Sequence, residues 1–534
     1  MNIVRRSRYL DRLIAFQDTD LIKIVTGIRR CGKSTLLDMM REHLAQQGVP
    51  AERLLTFKME SLEYAGVTDY LTFYRMVRER VDGVDRPYLF FDELQNVEGW
   101  EKAVNSLRVD LPCDIYVTGS NAFMLSSELA TLISGRYIEV KMQPLTFGEY
   151  LDFRSIDAVV AEGLGERVEL VSKTGNRLNS NTVLEQYITY GGMPFLAHDE
   201  PRREACRDYI RSLYQTIVAR DILLRATRRG RGAITKRDVL ERLCAYLADN
   251  ISNQTSVNKI VGTLNESAGG KTNASTVSAY IDALEETYLF TKVKRYDVKG
   301  RELLKTGGKY YIADTGIRSY LDGYRGSDSG RMLENVIYNQ LVFEGYEVFC
   351  GHLRAGEIDF VAIGEGSDRK YIQVTERIDA EATRERELRP LKLNTLGKIP
   401  DSYEKILIVR DGEHPTDIDG IRIVGAPISA EKQDRPRLNA KCDKGIVPLL
   451  HSMRAAVSYG GIRLASVYLR GLRGAPYGIS IALNGGIARA RLQMRGGMSL
   501  CQVTSRATGP MRVLMPTPRP NPLPLTRTPT PPRP

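Results

Sequence analysis

Leu21–Met40 reads LIKIVTGIRRCGKSTLLDMM, and its middle decides the fold. Gly27, four further residues and then Gly32-Lys33-Ser34 fit the pattern G-x-x-x-x-G-K-S/T. The run LIKIVT before it is short, β-branched and apolar, which predicts a buried strand over 21–26. The run after it has Leu36, Leu37, Met40 and Leu44 at helical spacing, with Gly48 as a stop. The glycines therefore sit in a strand-to-helix turn. Glycine admits backbone conformations closed to other residues, so successive N–H groups can surround phosphate oxygens. The helix N-terminus adds partial positive charge. Lys33 would reach β- and γ-phosphates and the Ser34 hydroxyl would coordinate Mg²⁺. The expected nucleotide-contacting set is Gly27, Cys31, Gly32, Lys33, Ser34 and Thr35.

A phosphate loop needs a second anchor. RPYLFFDELQNVEGW supplies an apolar strand, Tyr88–Phe91, that delivers Asp92 and Glu93 at its end. Asp92 is expected to hold Mg²⁺ together with Ser34. Glu93 is expected to polarise the attacking water as general base. A third strand, in DIYVTGSNAFML, ends at Thr118-Gly119-Ser120-Asn121. A polar side chain there could touch the γ-phosphate or the water, Asn121 first and Ser120 second; either residue would also serve as a helix N-cap. Arg136 stands in a Gly-Arg turn before a strand over 137–142. Its planar fork suits a γ-phosphate, as a finger reaching a neighbouring subunit or as an internal sensor.

The motifs GIRRCGKST, YLFFDELQNVEGW, TGSNA, ELATLISGRY with PLTFGEY, YGGMP, KYYIADTGI and EIDFVA together resemble the bacterial and archaeal AAA+-type P-loop ATPases that carry an uncharacterised C-terminal domain. The resemblance covers about residues 1–425. It implies an α/β parallel-sheet P-loop NTPase domain and ATP as the nucleotide; it implies no settled cellular role.

Beyond this domain, expected over 1–155, residues 156–234 read as a helical linker region. YGGMP within it reads as a tight turn. Arg220 and Asp221 read as an ion pair on the surface of one amphipathic helix, or as a relay of nucleotide state between domains. Residues 235–313 suggest a winged helix: three helical segments, then two strand-like runs, TKVKRYDVKG and GKYYIAD, around a basic turn. Such a module can bind DNA through its third helix. Here that helix carries Asp282, Glu285 and Glu286, which repel phosphate, while Lys292, Lys294, Arg295, Lys299 and Arg301 could offset them. Residues 314–430 resemble a PD-(D/E)xK nuclease core, with Glu334, Asp359 and Gln373 at its positions. Gln373 and Thr375 replace the Glu and Lys that working enzymes carry, so the expectation is a retained fold without cleavage.

The chain has 534 residues, 42% of them apolar, and a net charge of +11. Thirteen of its 76 basic residues and none of its 65 acidic ones follow Asp443, so the body carries 63 basic against 65 acidic groups, a net of −2. The basic excess belongs to a low-complexity tail over 431–534 that ends MPTPRPNPLPLTRTPTPPRP and is expected to be disordered. Its composition suggests a read-through extension, or else a basic nucleic-acid arm. Seven scattered cysteines form neither a disulfide framework nor a metal knuckle. No membrane-length apolar run is present, and the reducing cytoplasm is the expected setting. The function expected is Mg²⁺-dependent ATP hydrolysis used as a conformational switch or motor. It would act on an unknown protein partner and possibly DNA, without a membrane and in a possible homo-oligomer. The alternative is a nucleotide-clamped scaffold that binds DNA or protein without significant turnover.

Overall fold

The computed structural model describes residues 4–426 apart from 123–132, 134, 161–167, 199–201, 225–235, 267–271, 305–306, 324–327, 354–355, 367, 392–402 and 411–413. It also describes the backbone alone of 464–470, 478–483, 486–495 and 498–502. The chain divides into two compact units, Met1–Asp434 and Arg435–Pro534.

In the first unit, five parallel strands form one sheet: β1 (Ile22–Gly27), β2 (Leu54–Lys58), β3 (Tyr88–Asp92), β4 (Asp114–Gly119) and β5 (Tyr137–Met142), in the order β2-β3-β4-β1-β5. Alternation along β1 explains its burial on both faces. Ile22 and Ile24 pack with Phe73, Val77, Trp100 and Leu107, from helices α3 (Tyr70–Arg80) and α4 (Trp100–Asp110). Val25 packs on the other side with Leu10, Leu13, Leu36 and Met40, from α1 (Ser7–Ala15) and α2 (Lys33–Gln46). Parallel strands with helices on both faces place all their C-terminal ends on one edge, where ligands of such sheets sit. Gly27, Asp92 and Gly119 are the last residues of β1, β3 and β4.

Beside this sheet stand α5 (Phe147–Phe153) and a small antiparallel sheet of β6 (Ile156–Val160), β7 (Val168–Ser172) and β8 (Arg177–Leu178). Then come α6 (Ser180–Tyr190), α7 (Pro194–Ala197) and α8 (Arg203–Thr216). The turn between α6 and α7 explains YGGMP. A Cβ on Gly191, whose φ is +82°, would fall 2.1 Å from Asp314 Oδ1, and one on Gly192 would fall 2.3 Å from the Leu145 carbonyl oxygen. The two glycines let Asp314 accept from the Gly192 N–H at 2.7 Å while also capping the next helix through the Ile317 N–H at 3.2 Å.

Burial pushes the Asp314 carboxyl up to about 6. A carboxyl held above its unfolded value keeps its proton more firmly in the native state, so its contribution to stability is greatest below about pH 4 and is lost as pH rises through 6. Asp314→Asn cannot titrate and also loses one of the two acceptors. The expected outcome is a protein less stable than wild type at every pH, with the gap narrowing between pH 4 and 6. Urea denaturation at stepped pH checks this; a constant gap would contradict it.

Three helices follow, α9 (Arg237–Asp249), α10 (Val257–Glu266) and α11 (Ala274–Glu286), and then β9 (Phe290–Val293), which pairs antiparallel with β12 (Lys309–Ile312). The stretch TKVKRYDVKG does not stay with that pair. Its second half becomes β10 (Arg295–Asp297), which joins β11 (Glu302–Leu303) at the edge of a separate eight-stranded sheet. The rest of that sheet is β13 (Glu347–Leu353), β14 (Gly356–Ile363), β15 (Arg369–Thr375), β16 (Glu404–Val409), β17 (Asp417–Ile418) and β18 (Ile421–Gly425). Its order is β11-β10-β13-β14-β15-β16-β18-β17. Between β12 and β13 run α12 (Thr315–Asp322) and α13 (Ser329–Phe343), and α14 (Glu381–Leu388) follows β15. The boundary expected at 313 is therefore crossed by sheet pairing. It is also crossed by core packing, since Tyr311 and Val293 share one apolar cluster with Leu333, Ile337 and Phe360.

In the second unit, β19 (Leu464–Arg470), β20 (Gly478–Leu483), β21 (Gly486–Arg495) and β22 (Met498–Gln502) form an antiparallel meander. The stretch lies within the tail expected to be disordered; its alternation of Leu, Ile, Val and Ala with small or polar residues is the pattern of strands. The proline-rich end after 502 lies outside the described residues.

Candidate nucleotide site

The loop between β1 and α2 takes the shape its glycines permit. Gly27 has φ +142°, and a Cβ there would lie 2.1 Å from the Met142 carbonyl oxygen. Gly32 precedes α2 with φ +103°. Between them Arg30, a residue with a side chain to accommodate, also holds a left-handed φ of +64°. Such conformations are costly and concentrate at functional turns.

Lys33 is 4% exposed, and its ammonium donates to the carbonyls of Gly27 and Ile28, both at 3.1 Å. It stands 3.9 Å from Glu93 Oε1. Ser34 Oγ donates to Asp92 Oδ1 at 2.9 Å. Thr118 ties the second and third elements together: its hydroxyl donates to Asp92 Oδ1 at 2.5 Å and accepts from the Glu93 N–H at 2.9 Å. Glu93 itself sits at φ +55°, a left-handed turn that ends the strand and aims its carboxylate back toward Lys33. Ser120 Oγ donates to Glu93 Oε2 at 3.3 Å, and Gln95 Nε2 donates to the same oxygen. Lys33, Ser34, Asp92, Glu93, Thr118 and Ser120, drawn from three strand ends, thus form one connected polar network.

A cavity of about 610 Å³ opens over the loop, lined by Gly32, Lys33, Ser34, Thr35 and Glu93 on one side. Arg29, Arg30, Glu60 and Arg220, with Pro194, Phe195 and Tyr209, complete it. These groups suit a nucleotide: exposed main-chain donors at a helix N-terminus, a lysine, and three arginines around the opening. A Mg²⁺ ion would be held at the Ser34–Asp92 pair, whose hydroxyl and carboxylate are the hard oxygen donors that ion takes.

The other expected residues fall out as follows. Cys31 turns its thiol into the core, where it donates to the Met142 carbonyl at 3.8 Å and is pushed up by burial. Asn121 is buried, and it is the neighbouring Ser120 whose hydroxyl reaches Glu93. Arg136 lies far from the loop: its carbonyl accepts from the N–H of Ile22, the first residue of β1, and its guanidinium donates to Asn105 Oδ1 at 3.3 Å. Gly27 ends the same strand, so Arg136 stands at the opposite edge of the sheet, roughly 17 Å away at the usual rise of a strand. This corrects the internal-sensor alternative, because strand direction puts the turn before β5 on the wrong edge.

Arg220 and Asp221 are not paired with one another. They lie on a π-helical continuation of α8, Ile217–Leu224. Arg220 reaches Glu60 at 3.1 Å, and the buried Asp221 reaches Arg29 of the loop at 3.3 Å. A π turn inserts an extra residue and rotates the following side chains, a device common at functional sites. Arg220 is thereby delivered to the cavity, which a regular helical reading of the stretch does not show.

Sequence reading also missed Arg6. Its guanidinium grips Glu149 at 2.7 and 2.6 Å and donates to the carbonyls of Cys31 and Gln143 at 3.0 and 2.9 Å. It joins the loop to the segment after β5. The signal for its partner was present in PLTFGEY: Thr146 and Glu149 form a capping box at the start of α5.

Comparison with known proteins agrees with the loop's reading. Residues 19–151 match the family model of an AAA domain, and residues 181–328 match a domain of unknown function, DUF8612. An uncharacterized protein of Haemophilus influenzae is 38% identical over 424 residues, covering 79% of this chain and 97% of its own. The uncharacterized protein MJ1544 of Methanocaldococcus jannaschii is 26% identical over 443 residues, covering 78% of this chain and 91% of its own. Among solved structures, Aeropyrum pernix ORC1 in complex with DNA is 13% identical, covers 60% of this chain and 92% of its own, and has a TM-score of 0.27. AMPPCP-bound DnaA from Aquifex aeolicus is also 13% identical, covers 53% and 90%, and has a TM-score of 0.22.

Proposed function

The chain belongs to the AAA-domain family that includes the uncharacterized Haemophilus influenzae protein, and we propose that it hydrolyses ATP with Mg²⁺ as a conformational switch or motor. One observation carries the reading: a carboxylate, Glu93, is fixed by Ser120 and Gln95 at 3.9 Å from the loop lysine and lines the cavity where a γ-phosphate would lie. A protein that only clamps nucleotide has no use for a carboxylate held there.

The division of labour follows from the geometry. Lys33 exchanges the carbonyls of Gly27 and Ile28 for phosphate oxygens, supported by the N–H groups of Gly32–Thr35. Ser34 and Asp92 would hold Mg²⁺, which would supply charge neutralisation of the β- and γ-phosphates. Glu93 orients water and accepts its proton. Thr118 keeps Asp92 and Glu93 in register, and Arg220 and Arg29 supply further positive charge at the cavity. The π-helical segment that bears Arg220 also bears Asp221 against the loop. Nucleotide state at the loop would thus be felt by α8, which is how hydrolysis would be coupled to movement.

The test is phosphate release by wild type beside Lys33→Ala and Glu93→Gln. Equal turnover in all three would remove the catalytic assignment. Arg136 is proposed to act on nucleotide across a subunit contact of a homo-oligomer. Three helices followed by the β9–β12 pair support a winged-helix reading of 235–313. Glu334 on α13 and Asp359 on β14 support a nuclease-like reading of the sheet that follows, with cleavage lost. DNA is a proposed partner, tested by adding duplex fragments to the same assay. Among the described residues no helix is long and apolar enough to cross a membrane.

A further inference from the structure

Away from the nucleotide loop, Lys309 at the start of β12 is 4% exposed and points into a ring of three carboxylates. Its Nζ lies 2.9 Å from Glu334 Oε1, 3.0 Å from Glu357 Oε1 and 3.1 Å from Asp359 Oδ1. The carboxylates come from separate elements: Glu334 from α13, Glu357 and Asp359 from one face of β14. An ammonium has three protons; hydrogen bonds run to Glu334 Oε1 and Asp359 Oδ1, while Glu357 Oε1 stands at ion-pair distance. Two of the carboxylates are also held by other groups. Tyr311 Oη donates to Glu334 Oε1 at 2.6 Å, and the Val374 N–H donates to Asp359 Oδ2 at 3.0 Å. Asn335 fastens α13 to β12 by accepting from the Ile312 N–H and donating to its carbonyl, both at 2.8 Å. To swing out, the ammonium must give up its contacts to Glu334 on α13 and to Glu357 and Asp359 on β14. On β15, where working nucleases carry a carboxylate and a lysine, Gln373 accepts from the Asp359 N–H at 3.3 Å and donates to Glu387 at 3.2 Å.

Converging carboxylates of this kind ordinarily gather round a hard divalent cation. We infer that Lys309 is this chain's own cation at that place: its ammonium closes the Glu334–Glu357–Asp359 pocket against divalent metal, so that the domain beyond β12 holds its shape without metal and lacks a bound ion to activate water. Removing the ammonium would open the pocket to metal. Oxygens now about 3 Å from nitrogen need move inward by only about 0.5 Å to meet the 2.3–2.6 Å bonds of Ca²⁺, which tolerates irregular geometry. This inference is independent of the nucleotide reading, and its failure would leave that reading untouched.

The test uses the full chain without nucleotide, with Ca²⁺ as probe, read by thermal melting and calorimetric titration. Lys309→Met should melt lower than wild type in EGTA and recover most of the loss in millimolar Ca²⁺. It should bind one Ca²⁺ at least about tenfold more tightly than Lys309→Met/Glu334→Gln, the ratio that a lost charged ligand is worth. Wild type should show no Ca²⁺ response that Glu334→Gln removes. A folded Lys309→Met indifferent to Ca²⁺ would overturn the inference, and so would Ca²⁺ binding by wild type that Glu334→Gln abolishes. If Lys309→Met does not fold, the wild-type titration beside Glu334→Gln decides alone. Terbium emission sensitised by Tyr311, which touches Glu334, is a second readout of the same wild-type comparison.

Discussion

Arg6→Met is expected to destabilise the protein by about 3–5 kcal/mol, the cost of leaving one member of a buried ion pair without its partner. Arg6 is 4% exposed and Glu149 8%. Removing the guanidinium strands a carboxylate that otherwise receives two charge-assisted hydrogen bonds at 2.7 and 2.6 Å. It also strands the carbonyls of Cys31 and Gln143, and the stack over the Tyr9 ring at 4.7 Å is lost. Arg6→Lys should recover little, because an ammonium cannot make the paired contact. Arg6→Met/Glu149→Met should recover much of the loss, because an apolar pair of similar volume avoids the desolvation of both charges. Urea denaturation of the four proteins checks this; a single mutant within about 1 kcal/mol of wild type, the range of an exposed pair, would contradict it. The effect reaches function through Cys31, the residue before Gly32: without Arg6 the loop loses its tie to the segment after β5.

Glu93→Gln is expected to lower phosphate release by about 10²–10⁴-fold, the usual contribution of a positioned base, with ATP affinity unchanged. The substitution keeps size and hydrogen-bonding shape. The amide oxygen can still accept from Ser120 or Gln95, and Lys33 keeps its carbonyl partners and its place in the loop. What is lost is the capacity to take a proton from water. Ser120→Ala should produce a smaller loss in the same direction, since it frees the Glu93 rotamer without removing the base. A Glu93→Gln protein that turns over ATP like wild type would move the base elsewhere in the cavity.

The parts of the site that could be read from sequence are those carried by contiguous chain. Gly27–Ser34 and Asp92-Glu93 stand at the ends of strands whose apolar runs announce them. A parallel sheet then brings those ends together whatever lies between. Arg136 shows the limit of that logic. An arginine in a turn is easy to see, but which edge of the sheet the turn occupies depends on strand direction, and β5 runs parallel to β1. Arg6 and Lys309 were opaque for another reason. Their burial is decided by partners 143 and 25 to 50 residues away, and nothing in RRSRY or GKYYIAD marks which basic residue turns inward. Arg220 required the π-helical insertion, which regular helical periodicity does not foresee. β10 was misjudged because a strand's neighbours are not written in its own residues: RYD pairs with Cys350–His352, over fifty residues on.

Titration of the full chain with ATP in the presence and absence of Mg²⁺, beside Lys33→Ala, bears most directly on the claim that the loop after β1 grips a triphosphate. Saturable binding that strengthens with Mg²⁺ and weakens by about 10–100-fold in Lys33→Ala, the worth of a hydrogen bond to a charged group, is the result expected. Binding that is absent, or equal in both proteins and indifferent to Mg²⁺, would contradict it.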